Sequence, residues 1–483
     1  MSSASAARAG WQVVIGLETH CQLATATKLF CACRNEFGAP ANTHVCVVCS
    51  GQPGALPVLN REALDLGLRA ALALGCDVAP RSKFDRKHYF YCDLPKGYQI
   101  SQYDQPFCTG GGIALSSGKF VRLTRIHLEE DAGKAIHDRG ESTLVDLNRA
   151  GVPLIEAVSE PDLSSSAEAH EYLSALKEIL QFAGVSECDM EKGSLRCDVN
   201  VSLQREGGPR GVKVELKNLN SFANVVAALE HEISRQFEAL SSGEAIRQET
   251  RLFDVAKGVT RTMRTKEDAH DYRYFPDPDL PPFTFEPAHI ERVRSFLPDL
   301  PAVRRARYVN VLGLSEYDAA VLTQSRATSD FFEAALRHSE APKELANWLT
   351  NEVAALFSDA TSGVRAIDEL PFKPFDLAEL VELARTGRVT RAGARTILRA
   401  MCAQPRAPRE LMRELGLETV SDSGQLEQWC RQALVGRDKI VADVRAGEEK
   451  ALGALIGPVL KLSAGKADPK SVREMLLKLI AAP

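Results

Sequence analysis

The chain lacks the features that would place it in a membrane or in a common nucleotide-binding class. No apolar run approaches the ~18 residues needed to cross a bilayer, and residues 1–10 have no apolar core of a signal peptide. The chain has no GxxxxGK[S/T] loop, no GxGxxG motif after a strand, no GxSxG elbow and no internal repeat. We therefore expect a cytoplasmic protein with no membrane contact and without a P-loop.

Positive charge is not in excess. The formal net charge is −5, which argues against a surface coated for nucleic-acid binding but is compatible with a local basic patch. Such a patch occurs after residue 451, where five basic residues outnumber two acids: Lys461, Lys466, Lys470, Arg473 and Lys478. Phosphate contacts or an ordinary solvated helix face would both account for it.

Four of the twelve cysteines are tightly grouped. Cys31 and Cys33 form a CxC motif, and Cys46 and Cys49 form a CxxC motif twelve residues later, with turn-forming residues between them. In a reducing compartment this spacing favours a tetrahedral Zn²⁺ over disulfides. Four protein ligands leave no open position, so we predict a structural zinc site; His44 is an alternative fourth ligand.

Residues 13–23 alternate between apolar and polar side chains, which is typical of a strand with one buried face. Glu18, His20 and Gln22 share the polar face. A carboxylate and an imidazole two residues apart supply half of a metal shell, although a hydrogen-bonded pair in a wet groove fits equally well.

Three consecutive acids follow a second strand-like run, in the stretch from His127 to Lys134. Clustered carboxylates are costly unless a cation compensates them, and Glu156, directly after an apolar pair, needs one too. Because Glu129 and Glu130 would point to opposite faces of a strand, we expect only one of them to join Glu18 and His20.

Two further stretches carry ligand-binding residue types. Residues 84–106 are rich in aromatic, basic and amide side chains, as in a loop that binds a polyanion or an adenine, or simply in an ordered polar loop. Residues 195–203 and 212–217 alternate as an antiparallel pair of strands. Arg196, Asp198 and Asn200 on the polar face indicate either a nucleotide-binding groove or a solvated surface.

The pattern changes after the proline-rich run 276–282. Helical periodicity follows over 302–312, 315–322, 329–338, 344–357 and 376–385, and a proline break at 404–408 precedes a last helix with Asp468 as its cap. We predict an α+β domain at 1–297 with a zinc-binding insert at 31–49, an all-α domain at 298–404 and a small α-helical tail at 405–483.

Several long motifs closely resemble the GatB family, the B subunits of aspartyl/glutamyl-tRNA(Asn/Gln) amidotransferases. The similarity is dense from about residue 13 to 282 and looser over the helical remainder. The motifs that carry it are VIGLETH (14–20), the cysteine set (31–49), SKFDRK (82–87), YQISQ (98–102), HLEEDAGK (127–134), GSLRCD (193–198) and KNLNSF (217–222).

The resemblance implies an ATP- and Mg²⁺-dependent ligase that works with a GatA-type amidase subunit and a small GatC-type subunit. The family phosphorylates the side-chain carboxylate of Asp-tRNA(Asn) or Glu-tRNA(Gln), and ammonia released by the amidase displaces the phosphate to give Asn-tRNA(Asn) or Gln-tRNA(Gln). It also implies an N-terminal cradle similar to glutamine synthetase and guanido kinases, a helical domain, and a YqeY-like tail that helps to hold tRNA.

The resemblance also suggests roles for individual residues. It favours Glu130 over Glu129 as the inward acid, so that the expected magnesium ligands are Glu18, His20, Glu130 and Glu156. It places Lys96 and Tyr89 near the exit for ammonia, where Lys96 and Glu130 gate or deprotonate ammonium. The predicted catalytic set is therefore Glu130, Lys96, Tyr89 and His20, and the nucleotide set is Arg196, Asp198 and Asn200. Cys92 replaces a proline that is usual in the family, and Thr19 and Cys21 replace apolar residues.

A rival interpretation belongs to another class: a zinc-stabilised RNA-binding or scaffold protein with no chemistry of its own. The two interpretations differ in what they predict for the acidic residues. A scaffold gives no reason for Glu18, His20, Glu130 and Glu156 to converge, whereas phosphoryl transfer to a carboxylate requires a cation site.

Overall fold

The computed structural model describes residues 10–137, 142–265, 271–419, 423–446, 448–463 and 466–481. The chain divides into two compact units, one ending at Leu300 and the other beginning at Pro301. Strands occur in the first unit, and the second is helical. The first unit is therefore an α/β domain with a mixed sheet, as the alternating patterns before residue 282 predict.

Seventeen strands are found in the described part of the chain. In order they are β1 (Trp11–Gln22), β2 (Asp77–Val78), β3 (Arg81–Ser82), β4 (Asp85–His88), β5 (Tyr98–Ser101), β6 (Cys108–Thr109), β7 (Gly112–Ala114), β8 (Phe120–Glu130), β9 (Lys134–Ile136), β10 (Leu144–Asp146), β11 (Pro153–Ser159), β12 (Leu195–Arg205), β13 (Val214–Lys217), β14 (Glu249–Asp254), β15 (Val259–Thr265), β16 (Phe275–Pro276) and β17 (Phe283–Thr284).

Ten of these strands form one sheet in the order β15-β14-β13-β12-β1-β11-β8-β6-β2, with β7 paired to β8. The β13–β14 pair is parallel, and the other pairs in the sheet are antiparallel. The predicted antiparallel pairing of 195–203 with 212–217 is confirmed, since Val199 on β12 lies opposite Leu216 on β13. A three-stranded sheet, β16-β4-β5, carries the aromatic segment.

Strand β1 lies in the middle of the sheet and has two different faces. Ile15, Leu17 and Cys21 are buried in the main hydrophobic core, whereas Glu18 and His20 are half-buried on the other face. Helices that contribute side chains to this core include α1 (Arg61–Ala73), α2 (Ser166–Phe182) and α3 (Phe222–Ser241). The apolar face of β1 thus faces the core and leaves its polar face for a site.

Local capping explains where these helices begin. The side chains of Ser165 and Ser221 accept hydrogen bonds from the backbone N–H groups of Glu168 and Asn224, at 3.1 Å each, before α2 and α3. A serine at this position satisfies one of the donors that a helix leaves free at its first turn. Asn60 does the same for α1 through the N–H of Glu62, at 2.9 Å. A short helix, α4 (Pro287–Ser295), ends the first unit.

The second unit consists of helices in its described part. They are α5 (Pro301–Asn310), α6 (Glu316–Leu322), α7 (Arg326–Leu336), α8 (Pro342–Asn347), a π-helical turn (Trp348–Val353), α9 (Ala354–Ser358), α10 (Pro374–Arg385), α11 (Arg391–Ala403), α12 (Pro408–Glu414), α13 (Ser423–Leu434), α14 (Asp438–Arg445), α15 (Gly453–Leu462) and α16 (Pro469–Ala481), with short 3₁₀ turns at Ile367–Glu369 and Glu449–Leu452.

Two hydrophobic clusters form within this unit. One extends from Tyr308 to Met412 and the other from Leu426 to Ile480. Leu411 and Met412 on α12 belong to the first cluster although they follow the proline break at 404–408. Asp468 caps the last helix as predicted, because its carboxylate accepts from the N–H of Ser471 at 2.9 Å. None of the described helices has the length and apolar character that a membrane span requires.

Candidate active site and sulfur cluster

Three neighbouring strands bring two acids and two histidines together on the polar face of the sheet. His20 on β1 lies opposite Glu156 on β11, and Glu156 lies opposite His127 on β8. Because β8 alternates, Glu129 shares the face of His127. We call His20, His127, Glu129 and Glu156 the acid–histidine cluster.

The cluster is held by close contacts between ring nitrogens and carboxylate oxygens. His20 Nε2 lies 3.5 Å from Glu156 Oε2 and 3.6 Å from Glu129 Oε1. His127 Nε2 lies 3.2 Å from Glu156 Oε2 and 3.6 Å from Glu129 Oε2. His20, Glu129 and Glu156 each offer one ligand atom, and these three atoms lie within 4.8 Å of one another. The arrangement is compact enough to surround one metal ion.

Burial makes the charges of this cluster interdependent. Burial opposes ionisation of Glu156, but the positive charges and hydrogen bonds of His127 and His20 hold its carboxyl pKa well below the usual range. Burial likewise opposes protonation of His127, yet the charge of Glu156 and the hydrogen bonds to both acids raise its pKa to about 9. Two buried carboxylates thus require positive charge, which the imidazoles provide here and a divalent cation also provides.

Glu130 occupies a different place from the one predicted. It forms an ion pair with Lys96, and its carboxylate accepts from the N–H of Ile100 at 2.9 Å. Glu129, and not Glu130, therefore lies beside His20 and Glu156, which corrects the predicted choice of inward acid. The reason is the register of β8 against β11, which places Glu129 on the face of His127.

Glu18 lies next to the cluster on the same face of β1. Its carboxylate accepts from Asn200 Nδ2 at 3.0 Å, and it is not one of the three residues whose ligand atoms converge. Burial first, and then the negative charge of Glu156, raise the pKa of its carboxyl group. Of the four predicted magnesium ligands, the structure thus groups His20 with Glu156, places Glu18 beside them and pairs Glu130 with Lys96.

The four grouped cysteines converge as their spacing predicts. The Sγ atoms of Cys31, Cys33, Cys46 and Cys49 lie within 4.8 Å of one another. The N–H of Cys46 donates to Cys49 Sγ at 3.2 Å. A hydrogen bond from Cys31, with smaller help from that N–H and from the charge of Lys28, lowers the pKa of Cys49 to about 4. The arrangement fits a tetrahedral zinc ion, for which thiolates are the preferred ligands.

The four converging cysteines are called the sulfur cluster below, and Lys28 is a fully buried cation beside them. Its ammonium group donates to Cys49 Sγ at 3.5 Å, to the carbonyl of His44 at 2.8 Å and to the carbonyl of Leu147 at 3.2 Å. A buried ammonium is tolerated only when its donors are satisfied and its charge is balanced. Lys28 therefore favours thiolate character in the cluster.

Comparisons with known proteins identify the family of this chain. Residues 13–291 match the family model described as the GatB/GatE catalytic domain, and residues 330–480 match the model of the GatB domain. The chain belongs to the GatB family. Among curated proteins it is similar to the B subunit of the aspartyl/glutamyl-tRNA(Asn/Gln) amidotransferase of Geotalea daltonii, with 48% identity over 476 residues, covering 97% of this chain and 99% of the relative.

Other GatB relatives show the same extent of similarity. The protein of the same name from Persephonella marina is 47% identical over 475 residues, which cover 97% of this chain and 99% of the relative. The one from Caldicellulosiruptor saccharolyticus is 46% identical over 471 residues, covering 96% of this chain and 98% of the relative. The range matched by the GatB/GatE catalytic-domain model, residues 13–291, contains the acid–histidine cluster and the four cysteines of this chain.

The predicted nucleotide residues of this GatB chain have different neighbours. Arg196 Nη2 donates to Asp131 Oδ2 at 2.6 Å, and Asp198 forms an ion pair with Lys217. Asn200 lies at a cavity, where its side-chain amide donates to Glu18 at 3.0 Å. The charges of Arg196 and Asp198 are thus paired with those of neighbouring side chains in this structure.

The predicted aromatic segment and residues 271–275 together form another cavity, of about 480 Å³. It is lined by His88, Tyr89, Phe90, Asp271, Arg273 and Phe275. Tyr89 makes edge contacts with Tyr91 and Tyr272, and burial first, then the charge of Glu129, raise the pKa of its hydroxyl. Lys96 lies 5.5 Å from the centre of the Tyr98 ring.

The sequence prediction did not assign a role to two buried residues of this site, His127 and Asp131. For His127 the signal was available, since a two-residue spacing places it on the face of Glu129. Asp131 gave no such signal, because its partner Arg196 is 65 residues away in the sequence.

Proposed function

We propose that this chain is the B subunit of a glutamine-dependent, ATP-hydrolysing aminoacyl-tRNA amidotransferase. It phosphorylates the side-chain carboxylate of Asp-tRNA(Asn), Glu-tRNA(Gln) or both, and ammonia then displaces phosphate to give the amidated aminoacyl-tRNA. The observation that carries the proposal is the acid–histidine cluster. A scaffold protein would have no use for two buried carboxylates and two imidazoles converging on one face.

The cluster fits a divalent cation by the chemistry of its donors. Glu129 and Glu156 offer carboxylate oxygens, which Mg²⁺ prefers, and His20 offers a nitrogen on the open side. Glu18 lies two residues from His20 on the same face of β1, so its carboxylate is placed to contact a cation-bound water or phosphate. When bound, Mg²⁺ neutralises the phosphates that approach the substrate carboxylate. The positions of Glu129, Glu156 and His20 determine where the negative charge of the phosphates is neutralised.

The ion pair of Lys96 and Glu130 suits a role in handling ammonia. Both side chains are largely buried, so the pair is not an ordinary surface salt bridge. We propose that an incoming ammonium ion exchanges with the Lys96 ammonium group at Glu130, which accepts a proton and leaves neutral ammonia as the nucleophile. Tyr89 lines the approach, near the negative charges of Glu129 and Glu130.

The remaining parts of the proposal concern assembly. The four cysteines hold a structural zinc, and the chain works in the cytoplasm with a GatA-type amidase subunit and a small GatC-type subunit. We propose that residues 1–297 form a cradle of the glutamine-synthetase and guanido-kinase type, that 298–404 form a helical domain, and that 405–483 form a YqeY-like tail. Basic residues of the tail, such as the exposed Lys470 and Lys478, contact tRNA.

Reconstitution tests this proposal directly. The chain is co-expressed with candidate A and C subunits, and the complex is assayed with Asp-tRNA(Asn) and with Glu-tRNA(Gln), in the presence and absence of ATP. We expect ATP-dependent amidation of at least one substrate, with ADP and phosphate formed in step with product. A well-folded complex that hydrolyses glutamine but amidates neither tRNA would refute the proposal.

A further inference from the structure

Two cysteines outside the sulfur cluster touch each other in the core of the first unit. Cys21 is on β1, Cys188 lies between α2 and β12, and their Sγ atoms are 3.6 Å apart. Both thiols are free, with exposed fractions of 1% and 0%. Neither takes part in the proposed reaction. We call Cys21 and Cys188 the thiol pair.

The thiol pair lies behind the acid–histidine cluster, on the opposite face of the same strand. Side chains alternate along β1, so His20 and Gln22 share the polar face and Cys21 points into the core. The ring of His20 contacts Glu156 at 3.5 Å, and Gln22 Nε2 donates to Asp131 Oδ2 at 3.2 Å. A displacement of β1 at Cys21 therefore moves both neighbours on the polar face.

A turn sets the position of the second sulfur. Cys188 has a backbone φ of +51°, in the left-handed region that residues other than glycine rarely adopt. Its N–H donates to the hydroxyl oxygen of Ser186 at 3.1 Å. This local hydrogen bond, and not a strand or a helix, places the Cys188 sulfur against Cys21.

The two sulfurs have unequal surroundings. A hydrogen bond from Cys21 first, and then a hydrogen bond from Ser186 and the charge of Lys177, lower the pKa of the Cys188 thiol although burial opposes ionisation. A thiolate is the nucleophile in thiol chemistry, and a second thiol in contact with it can resolve the first product. Cys188 is thus the sulfur that reacts first, and Cys21 is the one that closes the bond.

The segment that covers Cys188 can open locally. All of residues 183–194 are described, and they form neither helix nor strand. Glu187, next to Cys188, is exposed and pairs with the exposed Lys192 at 2.9 Å. Exposed ion pairs contribute little stability, and segments without regular structure open at a lower free energy than the whole domain. Such opening gives a small oxidant access to Cys188.

We propose that the thiol pair is a reversible redox site, at which a hydroperoxide joins Cys21 to Cys188 in a disulfide and thereby inhibits the reaction on the other face of β1. The loss of amidation rests on the proposed function, whereas formation of the disulfide does not.

Hydrogen peroxide is the oxidant of this step. The Cys188 thiolate attacks one peroxide oxygen, the O–O bond breaks, and Cys188 becomes a sulfenic acid while hydroxide leaves and takes up the proton that Cys188 had lost. Cys21 then attacks the Cys188 sulfur, so that the S–S bond forms and the S–O bond breaks. The second hydroxide leaves as water with the proton of Cys21. Two thiols lose two electrons, one peroxide gives two waters, and a dithiol reductant reverses the change.

The new bond acts on the end of β1. Two sulfurs in contact must come closer to bond, which draws β1 and the 183–194 segment together at Cys21. The N–H of Gln22 already donates to the carbonyl of Ser194 at 2.9 Å, so the two segments are joined beside this point. His20 is one residue away. Misplacing a site residue by about 1 Å can lower a rate about a hundredfold.

Peptide mapping tests for the disulfide. The assembled complex is treated with hydrogen peroxide, its remaining thiols are blocked, and it is digested without reduction for mass spectrometry. A peptide linked through Cys21 and Cys188 is expected. Absence of that linked peptide would overturn the proposal.

Activity tests the inhibition. Amidation is assayed with ammonium chloride as the nitrogen source, so that oxidation of the partner amidase does not affect the rate. We expect the rate to fall about tenfold or more after peroxide treatment and to recover with dithiothreitol, while the zinc content stays constant. A linked peptide with an unchanged amidation rate would overturn the inhibitory role.

Variants assign the effect to these two sulfurs. Cys188→Ser and Cys21→Val each remove one partner, so both should keep their amidation rate after peroxide treatment. Cys430→Ser removes a buried thiol from the second unit and should remain as sensitive as the original protein. Equal inhibition of the original protein and of both thiol-pair variants would overturn the proposal. If Cys21→Val fails to fold by circular dichroism, Cys188→Ser decides.

The outcomes separate this proposal from the proposed function. A complex that forms the linked peptide but amidates neither tRNA, before or after treatment, would refute the proposed function and support the disulfide. A complex that amidates tRNA but never forms the linked peptide would refute the redox site alone.

Discussion

His20 and Glu156 face each other across β1 and β11, with Nε2 of the histidine 3.5 Å from Oε2 of the acid. Their strands are separated by more than a hundred residues of sequence, so the pair exists only in the folded sheet. It joins Glu129 to form the set of donors on which the proposed phosphoryl transfer depends.

Glu129 should be essential for the transfer step. Glu129→Gln keeps the size of the side chain and removes one of two buried charges, so we expect ATP-dependent amidation to fall about a hundredfold or more. Glutamine hydrolysis by the partner should persist at least in part. Glu206→Gln, an exposed acid of the same unit, is the matched control. Initial rates of ADP and amidated tRNA formation provide the measurement, and a Glu129→Gln complex with normal rates would contradict the assignment.

Lys96 and Glu130 should behave as a coupled pair. Lys96→Met leaves a buried carboxylate without its cation, which costs about 3–5 kcal/mol of stability. The double variant Lys96→Met/Glu130→Gln should recover much of that loss, and urea unfolding of the four proteins measures the coupling. If the losses of unfolding free energy in the two single variants simply add in the double variant, the ion pair does not contribute to stability.

The same pair should affect use of ammonia. Glu130→Gln should abolish glutamine-dependent amidation, since the amide no longer accepts a proton from ammonium. Partial rescue is expected when the pH is raised with ammonium chloride as the nitrogen source, because free ammonia then bypasses the proton transfer. Glutamine-dependent rates equal to those of the original protein would exclude this role.

The sulfur cluster should contain about one zinc ion per chain. Cys46→Ser should release it and reduce stability, because structural zinc sites depend on their full set of ligands. Cys92→Ser is the control, since Cys92 is an exposed thiol outside the cluster. Inductively coupled plasma emission spectroscopy on the purified protein measures the zinc content per chain. A folded protein without zinc would disprove the prediction.

The basic tail should contribute salt-dependent tRNA binding. Lys470→Glu combined with Lys478→Glu should weaken binding and make it less sensitive to salt, because fewer counterions are released. A truncation that tests the tail should keep residues up to 419, since Leu411 and Met412 pack in the preceding cluster. Filter binding over a range of salt concentrations checks both. Unchanged affinity and salt dependence would mark these lysines as solvated surface.

Much of this arrangement could be predicted from local patterns. The alternation of β1 places Glu18 and His20 on one face, and the cysteine spacing is sufficient for the sulfur cluster. The choice between Glu129 and Glu130 was wrong because alternation shows only that they point apart. Which of them faces His20 depends on the pairing of β8 with β11, a contact between distant segments.

The nucleotide residues illustrate the same limit of local patterns. Arg196 has the right chemistry for phosphate, but Asp131, the residue that follows β8, brings a buried carboxylate to it. A cavity of about 330 Å³ beside Gly16 on β1 depends on the absence of a side chain there and on the close approach of Gly211 to Leu203 on β12. Neither feature is a charge or a motif in the sequence.

We expect Lys28 to make the lifetime of the protein in the cell depend on metal binding. Its buried ammonium group contacts Cys49 and the carbonyl of Leu147, in the segment that leads to β11 and Glu156. With zinc bound, four thiolates carry more negative charge than the ion cancels, and Lys28 balances part of the excess. Without zinc, Cys31 and Cys33 regain protons, because their pKa values are raised, and within the cluster Cys49 is left as the thiolate beside the buried cation. A chain that misses its zinc would therefore open more often and be degraded sooner, so that only loaded chains persist for assembly.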